Sequence, residues 1–559
     1  MVCTKCNSDT RSVIPGDIRM KKLIILVALA AVCMIVFNLG VSPAYGTTRY
    51  IAQTAGAFSG GTACKGQNAI TPATWNATAE SPGDISYVCG TITAPLQTEL
   101  LIFKWSGTSS SPIQLIFDSG AILSSPEWPA DGSGGAIDLG SQNYITINGQ
   151  GNSSGGGGII EATSNGDSGA ACLSGSCTYH SDSNAIEANG ANNITIEGLS
   201  IIDMYVATNP NPGGGTCIYD YATVSNWTVT NNFMHDVAWC VEFQYTTGTS
   251  SNITISNNQI YNVDHGIAFG GYPASANLSN VYIYGNNIHD YSNWDTSSDT
   301  WHHDGVHIWG YNDNGSDTIS GVYVYNNHFG GCMGQNTTAH VFMEQNAGGT
   351  KSVYVFNNTF IDTCNSVVYN GFFTRGATSG SDGPYYLYNN TFLATSSSNT
   401  DACMGSESAT DVTYINNVAS GCTQGLMYMA NGSAASGGLH NNLYANGPGS
   451  CASSANCYQY GGSSWFGTFS NWQSTTGQDA SPSAYVSSAG LNASGVPQSG
   501  SAVIGVGANL TSLCSGTLTA LCSDMTGAAR PSSGAWTAGA YSTTGPMPPT
   551  SVNGKVQTK

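Results

Sequence analysis

Apolar and polar residues alternate one by one along most of this chain, and paired asparagines punctuate the alternation at regular intervals. The phrase reads WTVTNNFMHDV at 227–237, ITISNNQIYNV at 253–263, VYIYGNNIHDY at 281–291 and VYVYNNHFGGC at 322–332. It returns as VYVFNNTFIDTC at 353–364, YYLYNNTFLATS at 385–396 and VTYINNVASGC at 412–422, with a weaker copy, LHNNLYAN, at 439–446. The matching asparagines are Asn232, Asn258, Asn286, Asn327, Asn358, Asn390, Asn417 and Asn442, at steps of 26, 28, 41, 31, 32, 27 and 25 residues. A period of this size marks a solenoid. Val, Ile, Tyr and Thr at period two, as in Val322 and Val324 against Tyr323 and Tyr325, predict strands rather than helices. The 70 glycines, with Asn, Ser and Thr, supply the corners. Asn tolerates left-handed backbone at a corner, and its side chains can bond from coil to coil as a ladder.

This pattern resembles the right-handed parallel β-helix of pectate-lyase-like proteins over roughly residues 47–545. The resemblance implies an all-β solenoid of about ten coils and says nothing specific of chemistry. The expected organisation is a leader at 1–46, an N-terminal cap at 47–84, a parallel β-helix at 85–450, C-terminal coils and cap at 451–545, and a Pro-rich, disordered tail at 546–559. A cap is required because a solenoid end exposes strand edges and apolar filling. ARPSSGAWTAGAY, at 528–541, resembles the last strand of related secreted proteins. In the leader, Met20-Lys21-Lys22 precedes an apolar run from Leu23 to Leu39 and then SPAYG, the pattern of a secretory signal cleaved after Gly46. An uncleaved membrane anchor is the alternative, and Met20 rather than Met1 is a candidate initiator.

Three of the 17 cysteines (Cys3, Cys6 and Cys33) lie in the leader. The other fourteen fall as neighbours: Cys64 and Cys89, Cys172 and Cys177, Cys217 and Cys240, Cys332 and Cys364, Cys403 and Cys422, Cys451 and Cys457, Cys514 and Cys522. Seven disulfides and a secreted or cell-surface location are expected, with buried free thiols as the alternative. The chain has 13 basic and 33 acidic residues; without 1–46, 8 stand against 31. Such a surface does not attract nucleic acid, and it repels a polyanionic sugar unless calcium or another divalent cation bridges the two. Charged residues make up only 8% of the chain, so most of the surface is neutral and polar, which suits either sugar hydroxyls or an inert spacer.

A second strand in each coil aligns through inward pairs: Ile186/Ala188, Val241/Phe243, Ile267/Phe269, Val306/Ile308, Val341/Met343 and Val367/Tyr369. Side chains between and after these point outward. One outward column then runs Asp138, Glu187, Tyr219, Glu242, Ala268, His307, Phe342, Val368, and the next Gly140, Asn189, Tyr221, Gln244, Gly270, Trp309, Glu344, Asn370. Acids and amides for hydroxyls, with aromatic faces for sugar rings, suit an extended glycan.

The densest cluster is WHHDGVHIWG at 301–310, after the long insertion NWDTSSDT at 293–300. Alternation turns His303, His307 and Trp309 outward and starts Asp304 inward at the corner. The expected catalytic set is His303, His307, Glu344 and Glu242, with Trp309, Gln244, Tyr221, Asp264 and His340 binding substrate. Proton transfer on a glycosidic bond, proton abstraction beside a uronate carboxyl, and metal ligation by His303 with His307 and Asp304 or Glu344 all remain open. The plain alternative is that His302 and His303 cap the loop, Asp304 bonds corner amides and Trp309 is a surface aromatic. The calcium motifs of pectate lyases, the paired-Asp and RxK pattern of polygalacturonases and the DPH motif of C5-epimerases are not found. Two functions therefore stand: a monomeric polysaccharide lyase or glycoside hydrolase, or a non-catalytic adhesin or spacer whose only membrane contact is the leader.

Overall fold

The computed structural model describes residues 46–542 apart from 131, 133, 165–182, 205–214, 272–274, 292–301, 311–317, 333–336, 346–348, 364–369, 377–382, 396–401, 408, 431–433, 453–454 and 463. The leader before Gly46, the tail, Cys172, Cys177, Cys364, Val367, Val368, Tyr369 and the 293–300 insertion lie outside the described residues.

The chain is an all-β, right-handed parallel β-helix. One strand of each coil enters a 13-stranded parallel sheet that begins at Thr48–Ile51 and ends at Ala434–His440. Two further strand series share a 24-stranded sheet, one running from Thr91–Thr93 to Ala484–Val486 and the other from Leu101–Ile102 to Tyr458–Tyr460. They fuse in the 13-residue strands Phe233–Tyr245 and Gln259–Gly271, which run through a corner without interruption. Inward residues stack rung on rung. Ile145, Ile194, Trp227, Ile253, Val281, Val322, Val353 and Tyr385 occupy matched positions of eight successive strands, and all are buried. Outside, Tyr282, Tyr323, Tyr354 and Tyr386 stack face to face at 5.1, 5.3 and 4.6 Å, the offset geometry aromatic rings prefer.

Each Asn-Asn doublet does two jobs. The first residue turns the corner in the left-handed region, as at Asn231 (φ 57°), Asn257 (φ 54°), Asn326 (φ 55°) and Asn389 (φ 53°), with Gly285 (φ 66°) in the same place. The second points into the solenoid and is buried in every coil from Asn232 to Asn442. The Nδ2 of Asn286 donates to Asn327 Oδ1 at 3.0 Å and to the Ile255 carbonyl at 2.9 Å, while its backbone N–H also donates to Asn327 Oδ1 at 2.9 Å. The relay repeats coil by coil and ends where Asn442 Nδ2 donates to Asp479 Oδ1 at 2.9 Å.

The ends are covered differently. At the N-terminal side the short helix Pro72–Ala77 is capped by Thr71 and buries Trp75 edge-on against Phe103. At the C-terminal side, 528–541 forms isolated bridges and no named strand, unlike the expected last strand. It is held by Arg530, whose buried guanidinium donates to the carbonyls of Thr537 and Gly539 and to Asn357 Oδ1. Disulfides join Cys64 to Cys89, Cys403 to Cys422, Cys451 to Cys457 and Cys514 to Cys522, and Cys332 is disulfide-bonded. Cys217 and Cys240 correct the expectation of a bridge. They are buried thiols on adjacent rungs with sulfurs 2.7 Å apart, beyond the about 2.05 Å of a covalent bond. Both sit wholly inside the apolar filling.

The relay makes a strong prediction. Asn327→Ala leaves Asn286 N–H and Nδ2–H buried without their acceptor and should cost about 2–6 kcal/mol, summing losses of roughly 1–3 kcal/mol per orphaned group. Asn252→Gly interrupts the parallel ladder of exposed asparagines while keeping its left-handed backbone, and should cost no more than about 0.5 kcal/mol. Urea unfolding of the two variants measures the difference, and equal losses would show that the buried relay is not what holds the coils.

Candidate functional site

The strands Phe233–Tyr245, Gln259–Gly271, His303–Trp309 and Thr337–Gln345 lie side by side and carry the cluster. Their register stacks Glu242, Ala268, His307 and Phe342 in one outward column, and Gln244, Gly270, Trp309 and Glu344 in the next. One rung further the expected alignment fails. Val341 pairs with Phe372, so Phe373 and Arg375 continue the columns in place of Val368 and Asn370.

Trp309 lies flat over the strand below it. A Cβ on Gly270 would come within 2.2 Å of Trp309 Cζ2, so only glycine admits the indole there. The Trp309 carbonyl accepts from Tyr245 Oη at 2.9 Å. His307 packs between Trp309, at 4.5 Å between ring centres, and Phe342, at 4.7 Å. Its Nε2 meets Glu344 Oε2 at 3.3 Å, and its Nδ1 is 3.7 Å from Asp304 Oδ2. Burial pushes His307 down to about 4, against the pull of Glu344, so the imidazole is neutral at neutral pH. Burial works against ionised Glu344 too, but the hydrogen bond from His307 holds it below the usual carboxylate range.

Asp304 is not an inward filler. It is fully buried, its Oδ1 accepts from the Ala339 N–H at 2.9 Å, and its Oδ2 faces the imidazoles of His265, His302 and His307. Burial raises its carboxyl well above the ordinary range, lowers His302 to about 4 and takes His265 well below its ordinary value. His265 is sealed by Trp239, which stacks on it at 3.8 Å with planes 4° apart.

His303 and His340 correct the expected substrate face. His303 is fully buried, with Nε2 3.1 Å from Asp264 Oδ1. His340 is core, its Nδ1 3.3 Å from the Tyr291 hydroxyl and its ring between Phe329 and Phe360. Asp264 is buried behind the cluster, 3.3 Å from His265 Nδ1. The parity rule fails here because these residues lie at a corner, where the strand Gln259–Gly271 passes from pairing with Asn287–Tyr291, at Val263, to pairing with His303–Trp309, at His265. The group that replaces His303 is His302, and His265 joins it from the rung below. A sequence signal for this existed: Asp264-His265-Gly266 and His303-Asp304-Gly305 occupy the same corner of adjacent coils.

Glu242 accepts from Gln244 Nε2 at 2.8 Å, but three rungs separate it from Glu344, about 14 Å along the axis at a strand spacing of about 4.8 Å. Carboxylate pairs that hydrolyse glycosides stand about 5–9.5 Å apart, so these two do not form one. Tyr221 belongs to a separate acidic stretch, stacked on Tyr219 at 5.7 Å. There Glu187 pairs in register with Asp138 and accepts from Asn184 Nδ2 at 2.9 Å. Burial raises both carboxyls, Glu187 to about 7.

No protein-family model matches the chain. No curated protein sequence matches it. Among solved structures, the GH136 lacto-N-biosidase from Eubacterium ramulus is similar at a TM-score of 0.42 and 12% identity, over 74% of this chain and 67% of that one. The surface protein and adhesin PfbA of Streptococcus pneumoniae is similar at a TM-score of 0.36 and 12% identity, over 68% of this chain and 90% of that one. Likeness at this level carries no argument about chemistry, which rests on the residues themselves.

The acidic stretch yields a pH prediction. Folding raises Glu187 from an ordinary 4.5 to about 7, so the folded state binds its proton more tightly than the unfolded state does. Its contribution to stability is full below pH 4.5 and is lost as the pH rises to about 7. Glu187→Gln should therefore gain stability relative to the unsubstituted chain across that window and hold a constant difference above it. Thermal melts at closely spaced pH values test this, and a difference independent of pH would refute it.

Proposed function

We propose that the chain is an extracellular enzyme that hydrolyses a polysaccharide, with Glu344 as its acid/base group. The observation that carries this is the 3.3 Å contact between His307 Nε2 and Glu344 Oε2 on the strand face that also bears Trp309. An ionised carboxylate next to an imidazole can move a proton to or from a sugar oxygen. An indole in the adjacent rung supplies the stacking surface that holds the ring. Gln244 and Glu242, further along the same columns, offer hydrogen bonds to the next sugar units.

A neutral glycan suits the charge of the chain, since a net −20 repels a polyanion. Elimination at a uronate needs its carboxylate neutralised, and the basic side chain that follows Glu344 in its column, Arg375, is engaged with Glu407 at 3.4 Å. Disulfides support a location outside the reducing cytosol. Among the described residues, no helix is long and apolar enough to cross a membrane.

The purified chain should release reducing ends from a neutral polysaccharide, without the ultraviolet absorbance of an unsaturated uronate. Glu344→Gln should lower kcat by about 10²–10⁴-fold, and Trp309→Ala should act mainly by raising KM. Glu344 sits at the rim, so its unfolding midpoint should move little, by no more than about 0.5 kcal/mol. Binding to a polysaccharide panel with no cleavage of any member would remove the enzyme and leave the adhesin or spacer. Full activity of Glu344→Gln would move the chemistry elsewhere on the solenoid.

A further inference from the structure

We infer that His265, His302, His307 and Asp304 form a binding site for a divalent transition-metal ion of the zinc class. Each offers one donor atom, and the four atoms lie within 4.8 Å of one another. Asp304 Oδ2 is 3.4 Å from His265 Nε2, 3.3 Å from His302 Nε2 and 3.7 Å from His307 Nδ1. Around a tetrahedral ion with bonds of about 2.0–2.1 Å, ligand atoms stand about 3.3–3.4 Å apart. The three Asp304 distances match or approach that spacing, and the remaining separations, within 4.8 Å, are ones that small rotations of the imidazoles about a bound ion would close. The spacing is not that of hydrogen bonds: all four of these buried atoms lack a hydrogen-bond partner among the described residues.

The far nitrogens strengthen the case. His307 Nε2 contacts Glu344, and His265 Nδ1 is 3.3 Å from Asp264 Oδ1. A proton held on His307 Nε2 by Glu344 leaves His307 Nδ1 with its lone pair aimed toward Asp304. Carboxylates on the outer nitrogens of imidazoles are the arrangement that orients metal-bound histidines. With no cation, Asp304 Oδ2 can share at most one proton with the three near nitrogens, which leaves imidazole lone pairs unpaired beside the wholly buried Asp304 and His265, an arrangement that burial makes costly. Trp239 stacked on His265 and Phe342 stacked on His307 hold the rings in place. Three nitrogens and one oxygen select zinc, cobalt, nickel or copper, whereas calcium takes oxygen ligands throughout. The site stands whether or not the face above it takes a sugar.

The test uses the full chain stripped with a chelator and titrated with Co²⁺ alone and with Zn²⁺ alone. One equivalent of Co²⁺ should bind with the intense visible absorption of tetrahedral coordination, Zn²⁺ should displace it, and Ca²⁺ should not. His302 is the most exposed of the four, so His302→Ala should keep the fold by circular dichroism and weaken binding by at least about 100-fold, more than loss of an outer-shell partner does. Asp304→Asn should do the same. His235→Ala, in the separate pair with Asp236 at 2.6 Å, should leave the single equivalent unchanged. No saturable uptake of either ion by the folded chain would overturn the inference. So would uptake that His302→Ala and Asp304→Asn both retain at full affinity.

Discussion

The buried asparagine relay is the constraint on which the rest of this molecule depends. A solenoid corner brings backbone N–H and C=O groups toward an interior with no water, and each must find a partner. One amide per coil meets that need in three directions: along the stack, to the N–H of the coil before, and to a carbonyl of the adjoining strand. Because every amide is acceptor for one coil and donor for the next, the relay fixes the vertical register of all coils it joins. The left-handed residue just before it sets the corner angle, which is why the doublet is a unit.

That register lets the chain carry insertions without losing its columns. The step from Asn286 to Asn327 is 41 residues, the longest of the series, yet the relay crosses it with bonds of 2.9 and 3.0 Å. The extra residues leave the stacking of Ala268, His307 and Phe342 intact. Polar chemistry can then accumulate at one corner of a rigid wall, where loops on scaffolds tend to place function. Here it takes the form of three imidazoles around one sealed carboxylate, with Glu344 and Trp309 toward solvent.

The two faces of this cluster ask different things of the same residues. Behind it, Asp264 takes up His303 and faces the outer nitrogen of His265, turning charge inward. In front, Glu344 stays ionised against His307. A cation at the centre would balance the buried Asp304, and the outer carboxylate would remain available to a ligand on the surface.

Much of this was legible in the sequence. The Asn period disclosed the solenoid, and period-two alternation placed Glu242 with His307 and Gln244 with Trp309 and Glu344 in the columns they occupy. Alternation holds, however, only along a straight strand. Asp264-His265-Gly266 and His303-Asp304-Gly305 occupy a corner, where the strand passes from one series to the other, so parity sent His303 outward and Asp304 inward, and the fold did the reverse for the chemistry of both. In the rung after Glu344, Phe372 pairs with Val341 and is buried beside it, a register that the expected alignment of this strand did not give. Cys217 and Cys240 were placed on adjacent rungs by their spacing, but spacing does not say whether two stacked sulfurs are bonded. A repeat in the sequence determines which residues share a level and a face, because backbone hydrogen bonding enforces both. Which side chains converge across a corner is decided only by the folded path, because that convergence depends on local turns with no period.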